Sequence, residues 1–100
     1  MVEVHISRKA RKDLDIIKEY IAQDNPQRAE NFSVELLTGS INIISEFPLS
    51  CPLYNEPQKI RRYVFERYNV YYRLSSDGKR AEILHILNSS LLKNMTLKGL

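Results

Sequence analysis

Ala10, Leu14, Ile17 and Ile21 recur at the three- and four-residue spacing that lays apolar side chains along one helix face, while Arg8, Arg11, Lys12, Asp15, Lys18 and Glu19 fall mostly elsewhere. The pattern predicts a helix from about Arg8 to Gln23 that packs by one face. Ser7 is placed to cap it through its hydroxyl, and the β-branched run from Val2 to Ile6 suits a strand. Asp24-Asn25-Pro26 ends the helix, because Pro26 disfavours helical geometry at Asn25 and suits the first position of a new helix. A second helix, antiparallel to the first, is expected from Pro26 to Glu46, with Ala29, Phe32, Leu36, Ile43 and Phe47 on one face. Gly39 is its weak point: glycine costs about 1 kcal/mol relative to alanine there, so the helix either bends or packs closely against a neighbour.

From Phe47 to Gln58 the periodicity lapses and three of the four prolines gather, which predicts a surface loop. Two strands follow, about Lys59 to Glu66 and Tyr68 to Leu74, joined so tightly that they must be antiparallel neighbours. Ser76-Asp77-Gly78-Lys79 supplies a second hairpin turn, with Asp-Gly expected to provide positive backbone angles, and leads into a last strand from Arg80 to Leu87. Asn88-Ser89-Ser90 either ends that strand or caps a short helix in segment 88–100, whose Leu91, Leu92, Met95, Leu97 and Leu100 need a partner surface. The order of elements predicts a single α+β domain over residues 1–100. It has an N-terminal strand, an antiparallel helical hairpin and a three-stranded antiparallel meander, with the helices packed on one sheet face. Its expected core is Leu14, Ile17, Ile21, Phe32, Leu36, Ile43, Val70, Tyr72, Leu84 and Ile86.

Composition narrows the classes. A chain of 100 residues with 43% hydrophobic content builds one core and not two. No stretch approaches the roughly 20 consecutive apolar residues that a bilayer demands. The segment Met1-Val-Glu-Val-His-Ile lacks the basic region and apolar block of a signal peptide, so no membrane association and a cytoplasmic location are expected. Cys51 has no cysteine to pair with, and with only His5 and His85 available neither a metal nor another cofactor is expected. Its place between Ser50 and Pro52 favours a structural role over a nucleophilic one.

Charge sharpens the picture more. The whole chain carries +3, yet residues 59–73 alone carry five cationic residues, Lys59, Arg61, Arg62, Arg67 and Arg73, against Glu66. The same stretch holds Tyr63, Tyr68, Tyr71 and Tyr72. A basic, tyrosine-rich hairpin offers charge neutralisation and stacking area to phosphates or to a carboxylate-rich partner; the bland alternative is a solvated strand face.

Several local strings, in this order, resemble the RelE/ParE toxin superfamily of bacterial toxin–antitoxin modules over about residues 4–87. They are Ala10 with Asp13-Leu14 and Ile17, Tyr20-Ile21-Ala22, Asp24-Asn25-Pro26 with Ala29, Phe47-Pro48, Ile60-Arg61-Arg62, Tyr68 with Val70-Tyr71-Tyr72-Arg73, and Ile83-Leu84-His85-Ile86. The resemblance implies a toxin with a cognate antitoxin partner, in a toxin–antitoxin hetero-oligomer. RelE-like members cleave messenger RNA on the ribosome, whereas ParE-like members inhibit DNA gyrase.

Metal-free RNA cleavage needs activation of the ribose hydroxyl, cations for the phosphorane and a proton donor. Where many relatives carry His and Arg this chain has Asn88 and Ser90, and no tyrosine follows Tyr72. The expected function is therefore a ParE-like toxin that acts by binding, with Lys59, Arg61, Arg62, Arg67, Tyr71 and Arg73 as target- or antitoxin-binding residues, and the resemblance implies that the target it inhibits is DNA gyrase. The alternatives are a ribosome-dependent RNase using Arg61, Arg62, Arg73 and His85, and a weakly toxic relic that only binds antitoxin. His85, alternating with apolar neighbours, reads as packed, and Asp13, Asp15 and Glu19 read as a solvated face beside Lys12 and Lys18.

Overall fold

The structure, a computed structural model, describes residues 1–89. Along the chain run β1 (Glu3–Ile6), α1 (Arg8–Ala22), α2 (Pro26–Glu46), β2 (Leu53–Asn55), β3 (Ile60–Phe65), β4 (Tyr68–Leu74) and β5 (Arg80–Asn88). The strands form one sheet in the order β1-β5-β4-β3-β2. All neighbours are antiparallel except β1, which runs parallel to β5. The expected α+β architecture holds, with β3, β4 and β5 as the meander. The proline-rich segment, expected to be loop throughout, contains the short edge strand β2, whose three residues give no readable alternation. The tail expectations from residue 90 onward lie outside the described residues.

Both helix starts follow the sequence. The Ser7 hydroxyl accepts from the Ala10 amide at 3.0 Å, and the Asn25 side chain accepts from the Arg28 amide at 3.0 Å ahead of Pro26. In the β4–β5 turn only Gly78 takes a positive φ, of 72°. Asp77 contributes through its carboxylate, which accepts from the Lys79 amide at 3.0 Å and from the Ser75 hydroxyl.

Between the helices and the sheet lie Ala10, Leu14, Ile17, Phe32, Leu36, Ile44, Val70, Tyr72, Ala81, Ile83 and Ile86. Three expectations need correction. Ile44 is the fully buried residue of this turn, while Ile43 packs against the core only half-buried, because α2 buries the row at four-residue spacing Leu36, Ser40 and Ile44. Ser40 hides that row in the sequence; its hydroxyl donates to the Leu36 carbonyl at 2.7 Å, which lets a polar residue sit in the core. Phe47 leaves the helical path as the C-cap and is 61% exposed. Leu84 packs on the opposite sheet face, against Ile60 and Tyr71.

Close approach accounts for Gly39. Helix α2 runs through it unbroken, and a Cβ there would come within 3.2 Å of the Tyr63 hydroxyl. Gly39→Ala alone should therefore gain less than the helix preference of about 1 kcal/mol, and should recover it in a Tyr63→Phe background. Equal effects in both backgrounds, measured by urea denaturation, would remove the hydroxyl as the cause.

One edge of the sheet is finished by a helix. β1 covers β5 only as far as Ile83. There the β4–β5 register shifts, pairing Tyr72 with Ile83 but Tyr71 with His85, so that Leu84 is the extra residue of a bulge. The free backbone beyond is satisfied from α1 and its cap: the Ser7 hydroxyl donates to the Leu84 carbonyl at 3.1 Å, and the Ile86 amide donates to Asp13 Oδ2 at 3.1 Å. Lys9 Nζ lies 2.8 Å from the other Asp13 oxygen. Asp13 is thus buried, against the expectation of a solvated face, while Asp15 and Glu19 are exposed. A strand edge that lacks a neighbouring strand needs an acceptor, and the helix supplies a carboxylate.

Candidate binding surface on the open sheet face

Alternation along the strands separates two sets of side chains. Tyr63, Phe65, Tyr68, Val70, Tyr72, Ala81, Ile83 and Ile86 face the helices. On the other, open face β3, β4 and β5 contribute Ile60, Tyr71, Leu84 and Leu87 as a small apolar cluster. The Tyr54 ring of β2 meets Tyr71 edge-on at 4.8 Å, and the Arg62 guanidinium lies 5.6 Å over the Tyr54 ring. Val64, at the β3 end of this face, is 56% exposed.

The basic hairpin is consequently divided. Arg61 and Arg62 point to opposite faces: Arg61 donates to the carbonyls of Cys51 at 2.7 Å and Leu49 at 3.3 Å, tying down the loop before β2. Tyr72, its partner across the ladder, donates to the Pro48 carbonyl at 2.7 Å, so both clamp the same loop. Cys51 is buried beneath them, in keeping with a structural role. Arg61 is therefore a poor candidate for partner contact. Lys59 and Arg67 are exposed at opposite ends of β3, Lys59 in a turn with φ of 59°. Of the expected residues, the open face unites Arg62, Tyr71 and Arg73.

At the β4–β5 turn end of this face, Arg73 joins residues missed in the sequence. A cavity of about 370 Å³ is lined by His5, Arg73, Arg80 and Glu82 together with Leu74 and Ser75. The register explains the grouping, since Arg73, Glu82 and His5 stand side by side across β4, β5 and β1. His5 Nε2 lies 2.6 Å from Glu3 Oε1. The signal lay in β1 and the residue before it, where Glu3 and His5 alternate with the apolar Val2, Val4 and Ile6, but only the parallel β1–β5 pairing reveals their neighbours.

His85 is not part of this group. Its Nδ1 sits 3.4 Å from Asp13 Oδ2 at the α1 edge, close enough for an ion pair but without hydrogen-bond geometry, and its side chain is 16% exposed. Burial raises the Tyr71 hydroxyl above the ordinary tyrosine value, with the Tyr54 hydroxyl adding to the shift and Arg62 opposing it. Burial raises Tyr72 further. Both phenols stay protonated near neutral pH, fit to donate hydrogen bonds and unfit to act as bases.

The model of the ParE toxin family of type II toxin–antitoxin systems matches residues 4–90. The chain belongs to this family. Among solved structures, the chromosomal ParDE toxin–antitoxin system from P. aeruginosa is similar at a TM-score of 0.73 and 22% identity, over 88% of this chain and 96% of that one. The RelBE2 toxin–antitoxin complex from Mycobacterium tuberculosis is similar at a TM-score of 0.62 and 20% identity, over 87% and 96%. These likenesses show the fold that the ParE family shares with RelE-type proteins, and the fold does not choose between their activities. The large ribosomal subunit protein bL19 of Mycoplasmopsis pulmonis is 31% identical over 65 residues; the match spans 63% of this ParE-family chain and 56% of that protein's length. Among the described residues no helix is long and apolar enough to cross a membrane.

Proposed function

We propose that this ParE-family chain is the toxin of a type II toxin–antitoxin pair, neutralised by a cognate antitoxin, and that it acts in the cytoplasm by binding and inhibiting DNA gyrase. The observation that carries the binding mode is the sheet face away from the helices: the exposed Tyr54 and Val64, the half-buried Arg62, Leu84 and Leu87, all set on the buried pair Ile60 and Tyr71. An aromatic and aliphatic centre with a single arginine is the composition of a protein-binding hot spot. His85, the base of the RNase alternative, is drawn to Asp13 at the helix edge instead. Gyrase as the target rests on family resemblance. For the antitoxin, the exposed Ile16 and Tyr20 on α1 and Val34 on α2 offer an apolar outer surface on the helical hairpin.

A second reading is supported by the other end of the face. His5, oriented by Glu3 beside Arg73 and Arg80, sets an imidazole next to two cations, two of the three functions that metal-free phosphodiester cleavage needs. One pair of assays separates the readings. The purified protein is expected to block supercoiling by gyrase and to leave a translated message intact in primer extension. Codon-specific breaks that vanish in His5→Ala or Arg73→Ala, with supercoiling untouched, would establish the RNase instead.

A further inference from the structure

Two polar groups on the open face are buried without a partner. Asn69 is 3% exposed and its Nδ2 makes no hydrogen bond; Tyr71 is fully buried and neither does its hydroxyl. They lie two residues apart in β4 and so share a face. Arg62 stands opposite Tyr71 across the β3–β4 ladder. Arg62 and Asn69 both lie close enough to the Tyr71 hydroxyl to favour its charged form as hydrogen-bond donors, yet neither contact reaches full hydrogen-bond geometry, so the three groups approach one another without satisfying one another.

We propose that Asn69, Tyr71 and Arg62 form a clamp for one carboxylate of a protein partner, an Asp or Glu side chain flanked by apolar residues. The clamp rests on the binding function proposed above and specifies what that surface recognises. An amide NH₂, a phenol and a guanidinium all donate, so the group that completes them is an acceptor-rich oxyanion. The surroundings choose among oxyanions. Ile60, Leu84 and Val64 border the site with Tyr54, and a polypeptide places apolar side chains on both sides of a carboxylate, whereas a nucleic-acid backbone would bring further phosphates against an apolar rim. Entry requires only side-chain motion. Tyr54 meets the Tyr71 ring and Arg62 lies over Tyr54, so in the bound state both turn outward as side chains while the β3–β4 ladder stays paired, and Arg62 brings its guanidinium to the carboxylate.

The test is an NMR titration of the isotope-labelled full chain with three probes: the blocked tripeptide acetyl-Leu-Glu-Leu-amide, its glutamine counterpart, and inorganic phosphate. The glutamyl peptide is expected to move the Asn69 side-chain amide and Arg62 guanidinium signals saturably, and Arg62→Ala or Tyr71→Phe to weaken its binding by about tenfold or more. Tyr71→Phe should at the same time raise the thermal midpoint, because it removes a buried hydroxyl that has no partner in the free protein. A purely structural Tyr71 would leave peptide affinity unchanged. Equal shifts with the glutamine peptide, stronger shifts with phosphate, or no shift with any probe would each overturn the clamp. Supercoiling inhibition reports on the target independently: inhibition without peptide shifts sinks the clamp alone, and peptide shifts without inhibition sink the gyrase reading alone.

Discussion

Phe32→Ala is expected to destabilise the protein by about 3–5 kcal/mol, the largest effect of any single truncation considered. Phe32 is 2% exposed and meets the rings of Phe65 at 5.6 Å and Tyr68 at 5.2 Å, both edge-on. These two residues flank the β3–β4 turn, and the Arg28 guanidinium lies 5.4 Å over the Phe32 ring while also pairing with Glu66 inside that turn. Glu66 holds a positive φ of 53°, a conformation that costs a non-glycine residue about 1–2 kcal/mol. Removing the ring therefore opens a cavity and also loosens a hairpin that its neighbours hold in an unfavourable geometry. Phe32→Leu, which retains much of the volume, should cost markedly less. Urea denaturation of both variants checks the order, and a Phe32→Ala midpoint equal to the parent's would refute the packing described.

Asp13→Ala is expected to cost about 3 kcal/mol, although no sequence pattern marks Asp13 as buried. The substitution leaves the Ile86 amide without an acceptor and takes the carboxylate away from the Lys9 ammonium and the neighbouring His85 ring. Asp13→Asn keeps an oxygen for the Ile86 amide and loses only the charge, so it should fall between the parent and the alanine variant. Amide hydrogen exchange adds a local readout: Ile86 should lose protection in Asp13→Ala more than Val70, which β3 and β5 flank on both sides. An alanine variant as stable as the parent would show that water replaces the carboxylate at this edge.

The two cases mark where sequence reading succeeds. Helix α1, the full span of α2, the meander and the two caps were legible because each depends on short-range spacing, turn chemistry or a capping side chain. Asp13 was not, because its partner is a backbone amide 73 residues away. Ser40 misled for a related reason: its hydroxyl is satisfied by its own helix, which makes a polar letter behave as a core residue. The candidate surface was legible as a concentration of charge and aromatic residues, but its division was not foreseen. Period two alone sends Arg61 and Arg62 to opposite faces, and only the loop carbonyls of Leu49 and Cys51 show that Arg61 is occupied. His5 and Arg80 entered the picture through a parallel pairing between the two ends of the described chain, which no local pattern encodes.

That pairing also sets the order of events during synthesis. β1 and the Asp13 side of α1 have their partners in β5, so neither is in its final place until residues 80–88 have left the ribosome. Contacts of such sequence separation form late and slowly, because loop closure precedes any gain from them. The open face is affected in the same way, since Leu84 and Leu87 of β5 complete the cluster around Tyr71. The candidate surface is thus completed only after the helical hairpin has emerged, so a partner that acts during synthesis meets the hairpin first.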